Sequence, residues 1–213
     1  MRQRVDVISS VRFTLKSIGV VLRSPNTNCF ARYARKTLQE GQADILQLIE
    51  PSLAVIDTMT AQIKVLDKEL ELLAEDQYPI TQRLRNITGV GLLTSLAFVL
   101  TVEDPERFVK ARDVGPYLGL VPKRDQSGDL DKELRISKAG NKYMRKLLVS
   151  AAQYIIGPFG EDCDLRAKGM RLLERGGQRA KKKAVIAVAR SLAVLMLSLW
   201  KNESDYQPLK LSA

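Results

Sequence analysis

The sequence predicts an all-α protein, a long coiled-coil helical hairpin followed by a small helical domain with a helix-hairpin-helix. Two observations carry this. Residues 44–74 place apolar side chains at alternating steps of four and three, the signature of a packed helix seam. The later segments carry apolar faces at helical spacing, and no run alternates apolar and polar residues as a strand would. The expected division is a linker and coiled-coil region at 1–80, a second domain at 81–202 and a tail at 203–213.

Val5 to Leu22 reads as a helix, and Ser24 to Asn28 (SPNTN) as a turn-rich connector. In the long segment Ile45, Ile49, Ser52, Ile56, Met59, Ile63, Leu66, Leu70 and Leu73 form a heptad seam. Pro51 near its start is expected to break or kink the first part. Such a seam serves an oligomerisation coiled coil. It also serves an antiparallel hairpin within one chain, paired with 5–22, and the two uses are not exclusive.

After a break at Asp76 to Pro79, residues 83–100 read RLRNITGVGLLTSLAFVL. A short helix ends at Gly89, which suits a left-handed stop. The next starts near Gly91, with Leu92, Leu93, Leu96, Ala97 and Leu100 on one face. This is the pattern of a helix-hairpin-helix, whose glycines let backbone N–H groups approach a phosphate at a helix N-terminus. Gly-Val-Gly also suits a tight helix–helix turn without a ligand. Glu103 or Asp104 then caps a further helix with Pro105 at its first position, turning Phe108, Ala111, Val114 or Gly115, and Leu118 inward.

Gly115 to Arg145 reads as a polar, glycine-punctuated loop dense in both charges, with Ser127-Gly128 at its middle. A small hydroxyl in a cationic loop is what phosphoryl transfer on DNA uses as a nucleophile. The same composition describes a plain surface loop. Asn141 to Ile156 follows as a helix burying Leu147, Leu148, Ala151, Ala152 and Ile155. A last helix covers Lys181 to Trp200, with Val185, Val188, Leu192, Leu195, Met196 and Leu199 toward the core. Its apolar run, Ala184 to Trp200, is 17 residues long and contains Arg190. A membrane span needs about 20 apolar residues, so the run reads as a buried helix and no membrane partner is expected.

The net charge of +10 favours a polyanionic partner, nucleic acid or an anionic membrane surface. Aromatics at 6% argue against single-strand stacking as the main binding mode. The chain has no histidine, which removes zinc fingers, Ser-His-Asp triads and histidine general bases. Cys29 and Cys163 lie far apart and read as reduced thiols. With no secretory signal at the N-terminus, the expected location is the cytoplasm.

Basic residues cluster twice. Lys123, Arg124, Arg135, Lys138, Lys142, Arg145 and Lys146 form one group. Arg166, Lys168, Arg171, Arg175, Arg179, Lys181, Lys182, Lys183 and Arg190 form the other. Such groups neutralise phosphates with little regard to base sequence, or else they are solvated helix faces. Within both groups Lys123, Arg124, Arg135, Lys138, Lys142, Arg145, Arg179, Lys181, Lys182 and Lys183 are the candidate contacts, together with Gly89 and Gly91. Asp125, Asp129, Asp131 and Glu133 suit solvated charges or pairs with their basic neighbours better than a Mg²⁺ site. No metal site is therefore expected in this chain.

Taken in order, Gly89-Val-Gly91, Phe108, GPYLGLVPKRDQSG, RISKAGNKYMRKLL and KKKAVIAVARSLAVLMLSLW resemble the C-terminal transposase domain of a bacterial insertion-sequence family. Its members join a RuvC-like domain bearing Asp-Glu-Asp-Asp acids to a small helical domain bearing a catalytic serine. They use a structured guide RNA, the bridge RNA, to select target and donor DNA. The resemblance covers about residues 81–202. The heptad helix resembles the family's coiled-coil dimerisation region, and residues 1–24 resemble the linker into it.

The resemblance implies Ser127 as the nucleophile, forming a covalent phosphoserine link to DNA that conserves bond energy for rejoining. Ser137 is the alternative, although RISKAG looks more like a phosphate-contacting helix start. Two departures stand out. Asp129 follows Ser127-Gly128 where family members often carry a further glycine. The chain also shows no counterpart of the RuvC-like domain. The resemblance thus implies a truncated transposase part, inactive alone, with Mg²⁺ expected in the missing domain. Its implied partners are DNA, a structured guide RNA and a second copy through the coiled coil, in a bacterial cytoplasm at the nucleoid. A reading from another class is a non-catalytic, dimeric nucleic-acid-binding protein.

Overall fold

The structure, a computed structural model, describes residues 2–23, 26–39, 41–127 and 130–209, with backbone alone over 124–127 and 130–133. Among the described residues the chain is helical apart from one two-stranded hairpin. It divides into two compact units, 1–71 and 72–213.

The first unit contains α1 (Arg2–Ser17), a 3₁₀ turn (Thr27–Cys29), α2 (Phe30–Gln39) and most of α3 (Ala43–Gln77). Ile8, Val11 and Leu15 of α1 meet Phe30, Ala34 and Leu38 of α2 and Ile49, Leu53 and Ile56 of α3 in one buried cluster. Half of the buried face of α2 is alanine, Ala31 and Ala34. Asn26 opens the 3₁₀ turn by accepting from the Asn28 amide at 2.8 Å. Arg35 crosses from α2 to α3, holding Glu50 at 2.7 Å and Asp57 at 2.6 Å. Hydrogen bonding to Glu50, then to Asp57, holds its guanidinium above the ordinary arginine value.

The helix expected over 5–22 ends at Ser17, where the chain turns through Gly19. α3 runs unbroken through Pro51. An interior proline costs about 3 kcal/mol, and here the turn that contains it is held by the burial of Ile49, Leu53 and Ile56. The heptad seam divides further along, beyond Thr60. Ile49 and Ile56 are buried against α1 and α2, whereas Leu66 is 55% exposed.

The second unit contains α4 (Ile80–Arg85), α5 (Leu92–Val102), two 3₁₀ turns (Pro105–Arg107 and Ala111–Asp113), α6 (Val114–Tyr117), β1 (Pro122–Ser127), β2 (Leu130–Ile136), α7 (Lys142–Ile156), α8 (Asp164–Glu174) and α9 (Ala180–Lys201). α9 is the central element and packs on α4, α6, α7 and α8. By length and composition it would cross a membrane, but Val188, Ala189, Leu192, Ala193, Met196 and Leu197 are buried in the core of this unit. Residues read as its inward face are buried, except that Leu195 is only partly covered.

Three details differ from the sequence reading. The helix expected after Pro105 is two 3₁₀ turns and the single turn of α6, with Asp104 accepting from the Glu106 amide at 2.8 Å. α8 has no counterpart in the sequence reading, because only Leu165 and Gly169 of it are buried. The segment read as a loop contains the β1–β2 hairpin, antiparallel with Ser127 opposite Leu130. The tail folds back, with Pro208 O accepting from the Asp164 amide at 2.8 Å and Asp205 pairing with Arg83 at 3.2 Å. Burial, with the Cys163 thiol beside it, holds the Tyr206 phenol above its ordinary value.

Candidate nucleic-acid interface

The hairpin stands on a clamped base. The Ser137 amide donates to Val121 O at 2.8 Å, and the Lys138 amide to Gly119 O at 3.2 Å. Arg145 reaches back from α7, and its Nη1 donates to Leu118 O at 3.1 Å, to Gly140 O at 3.4 Å and to Ala139 O. A guanidinium spread over three carbonyls fixes where the hairpin leaves the helical body. This hairpin-base role for Arg145 is not visible in the sequence, where it counts only as a cation.

Ser127 is the last residue of β1. Gly128 and Asp129 lie outside the described residues, and so do the side chains of Arg124, Asp125, Ser127, Asp131 and Glu133. Lys123 and Arg135 are exposed on the two strands. Ser137 sits at the hairpin base, where its hydroxyl accepts from the Ala139 amide at 3.5 Å, in a local turn. α7 is capped by Asn141 instead, whose side chain accepts from the Tyr143 and Met144 amides at 2.9 and 3.1 Å. Lys138 and Lys142 are exposed on either side of that cap, Lys138 with a left-handed φ of 58°.

The two glycines of the α4–α5 turn differ. Gly89 has a φ of +83°, and a Cβ there would lie 3.2 Å from Ala151 O and from Ile155 Cγ1. Its backbone therefore rests on α7, and a larger residue would be both strained and crowded. Gly91 faces open space and precedes α5, which has no side-chain cap. A groove runs between this turn and α7, lined by Arg85, Thr88, Gly91, Ser150, Tyr154 and Glu161 among others. Thr88 Oγ1 donates to Glu161 at 3.2 Å.

Arg179, Lys181, Lys182 and Lys183 gather at the start of α9. The three lysines are exposed, and the first turn holds no acid. Cations at the positive end of a helix dipole oppose helix stability by a few tenths to about 1 kcal/mol each. The arrangement concentrates positive potential at the surface instead. Among the described residues no group of three or more His, Cys, Asp or Glu side chains is placed to hold a metal ion.

Residues 81–162 match the family described as Transposase IS116/IS110/IS902. This part of the chain is similar in sequence to insertion-sequence transposases. The match takes in the α4–α5 turn, the hairpin and α7. The chain is 32% identical to the transposase for insertion sequence element IS1111A of Coxiella burnetii over 127 residues, 59% of this chain and 34% of that protein. It is 27% identical to a probable family 20 transposase of Pseudomonas aeruginosa over 154 residues, 72% of this chain and 44% of that protein. It is 29% identical to the pilin gene-inverting protein of Moraxella lacunata over 124 residues, 58% of this chain and 37% of that protein. The chain thus spans less than half the length of these relatives.

Proposed function

We propose that this transposase segment supplies the serine nucleophile and part of the DNA-binding surface of an RNA-guided recombinase. The observation that carries the reading is the clamped hairpin that ends β1 at Ser127, inside the transposase match. Ser127 Oγ bonds to a DNA phosphorus while a deoxyribose oxygen leaves as a hydroxyl. The phosphodiester is exchanged for a phosphoserine ester of similar energy, so rejoining needs no nucleotide hydrolysis. The chain has no histidine to take the serine proton. Lys123, Arg124 and Arg135 would offset charge on the phosphate in the transition state.

Among the described residues no three acids are gathered where a metal ion could sit. The reaction's Mg²⁺ would be held by the acids of a RuvC-like domain, in the same polypeptide or another. Phosphates lie along the backbone N–H groups near Gly91, in the manner of a helix-hairpin-helix, and along Lys181 to Lys183. The exposed half of the α3 seam joins two copies. The partners are DNA and a structured guide RNA, met in the bacterial cytoplasm.

The test is a covalent adduct on a denaturing gel. The chain alone, with DNA and Mg²⁺, forms none. Joined to a matching RuvC-like domain and its RNA it forms one, and Ser127→Ala abolishes it while DNA binding stays within a few-fold. An adduct lost with Ser137→Ala but kept with Ser127→Ala overturns the assignment. DNA binding without an adduct in any context supports the non-catalytic reading.

A further inference from the structure

Phe159 is 79% exposed, in the short turn between α7 and α8. Exposed aromatics usually sit on mobile side chains or frayed ends. This one sits on a backbone held from several directions. Arg166 Nη1 donates to Ile155 O at 2.7 Å and to Gly157 O at 2.6 Å. The Gly160 amide closes the turn on Gly157 O at 3.2 Å. A Cβ on Gly160 would lie 2.1 Å from Ile155 O, so the turn is packed directly against the end of α7. The side chain of Arg166 is itself only 20% exposed and pairs with Asp162 at 3.6 Å. The backbone that carries the ring is thus fixed before binding, which leaves only the side-chain rotamer to be ordered.

Two residues on, Glu161 ties the turn to the α4–α5 connection through Thr88. Tyr154, 48% exposed, lines the groove there against Gly89. Tyr154 therefore lies against the connection proposed above to contact phosphates, and Phe159 projects from the turn that Glu161 fastens to it. The acids of the turn, Glu161 and Asp162, disfavour a phosphate against Phe159 itself. A base carries no such charge, and an apolar ring beside a backbone-binding turn suits wedging between bases.

We infer that Phe159 is a wedge that stacks on an unpaired or unstacked DNA base, so that this face prefers distorted DNA over a regular duplex. The inference rests on the DNA-binding reading above and adds the class of DNA bound. A regular duplex offers no open base face, whereas a bulge, mismatch or strand junction does.

The experiment uses the full chain and two 30-base-pair probes, one fully paired and one with a central two-nucleotide bulge, read by fluorescence anisotropy. The wild type binds the bulged probe roughly 5- to 150-fold more tightly, the range that one aromatic–base stack provides. Phe159→Ala removes that preference and leaves the paired probe within about twofold, while Phe159→Trp keeps it. A 2-aminopurine beside the bulge reports a change of stacking with the wild type but not with Phe159→Ala. No preference in the wild type, or equal loss on both probes, overturns the wedge alone. No binding to either probe overturns the DNA-binding reading as well. A change of oligomeric state in Phe159→Ala, by light scattering, identifies the face as a protein contact and also overturns the wedge.

Discussion

In the C-terminal unit the inward residues of α9 from Val188 to Leu197 are covered within the chain. In the N-terminal unit α3 is covered from Ile45 to Thr60, and its seam continues through Ile63, partly covered, to Leu66, exposed. Both helices are long and rich in leucine, isoleucine and valine. The difference lies in what surrounds them. α9 is enclosed by α4, α6, α7 and α8, whereas the short helices α1 and α2 cover only the first half of α3. One helix stabilises a unit, and the other leaves part of its apolar seam exposed.

The contrast breaks most visibly in the core. Leu192 is fully buried, and Leu192→Asp places a carboxylate among apolar side chains with no partner. A loss of more than about 4 kcal/mol is expected. Thermal unfolding followed by circular dichroism then shows the C-terminal unit melting first or not folding. A variant that melts with the wild type denies α9 its central place.

On α3 the same chemistry should behave differently. Met59→Asp with Leu66→Asp leaves the helical signal almost unchanged and converts a dimer to a monomer in light scattering. A wild-type monomer at micromolar concentration removes the oligomerisation reading and leaves the seam as an exposed apolar face.

A smaller effect separates the two basic regions. Arg145 serves the hairpin base, whereas Lys181, Lys182 and Lys183 are exposed. Replacing the three lysines with alanine weakens binding to all DNA sequences about equally. The slope of log affinity against log salt flattens by about 0.9 for each phosphate that a lysine no longer neutralises. An unchanged slope places the phosphates elsewhere.

The parts of the fold that the sequence declares have strong periodicity or strong punctuation. Helices α3, α7 and α9 show themselves by apolar spacing, and the α4–α5 turn by Gly89 and Gly91. The hairpin is hidden because β1 is Pro-Lys-Arg-Asp-Gln-Ser, with no apolar face. Only β2, through Leu130, Leu134 and Ile136, carries a weak alternation, and Ser127-Gly128 marks a turn in retrospect. α2 is a strongly one-sided helix of only ten residues that the long seam after it overshadows, and α8 buries only Leu165 and Gly169. In the candidate site the serine and the lysines are legible as residue types. The roles of Arg145 and Arg166 are not, since both donate to backbone carbonyls of neighbouring segments, which residue type alone does not indicate.

Sequence by itself determined the helical class, the basic character, the absence of histidine chemistry and the transposase resemblance. Each follows from composition or from spacing along one segment. Tertiary structure alone decided which part of the α3 seam is covered, that a charged segment pairs as two strands, and that Phe159 is held outward. The first depends on contacts between residues far apart in sequence, and the other two on pairings between neighbouring segments, whose free energies the pattern within one segment does not record.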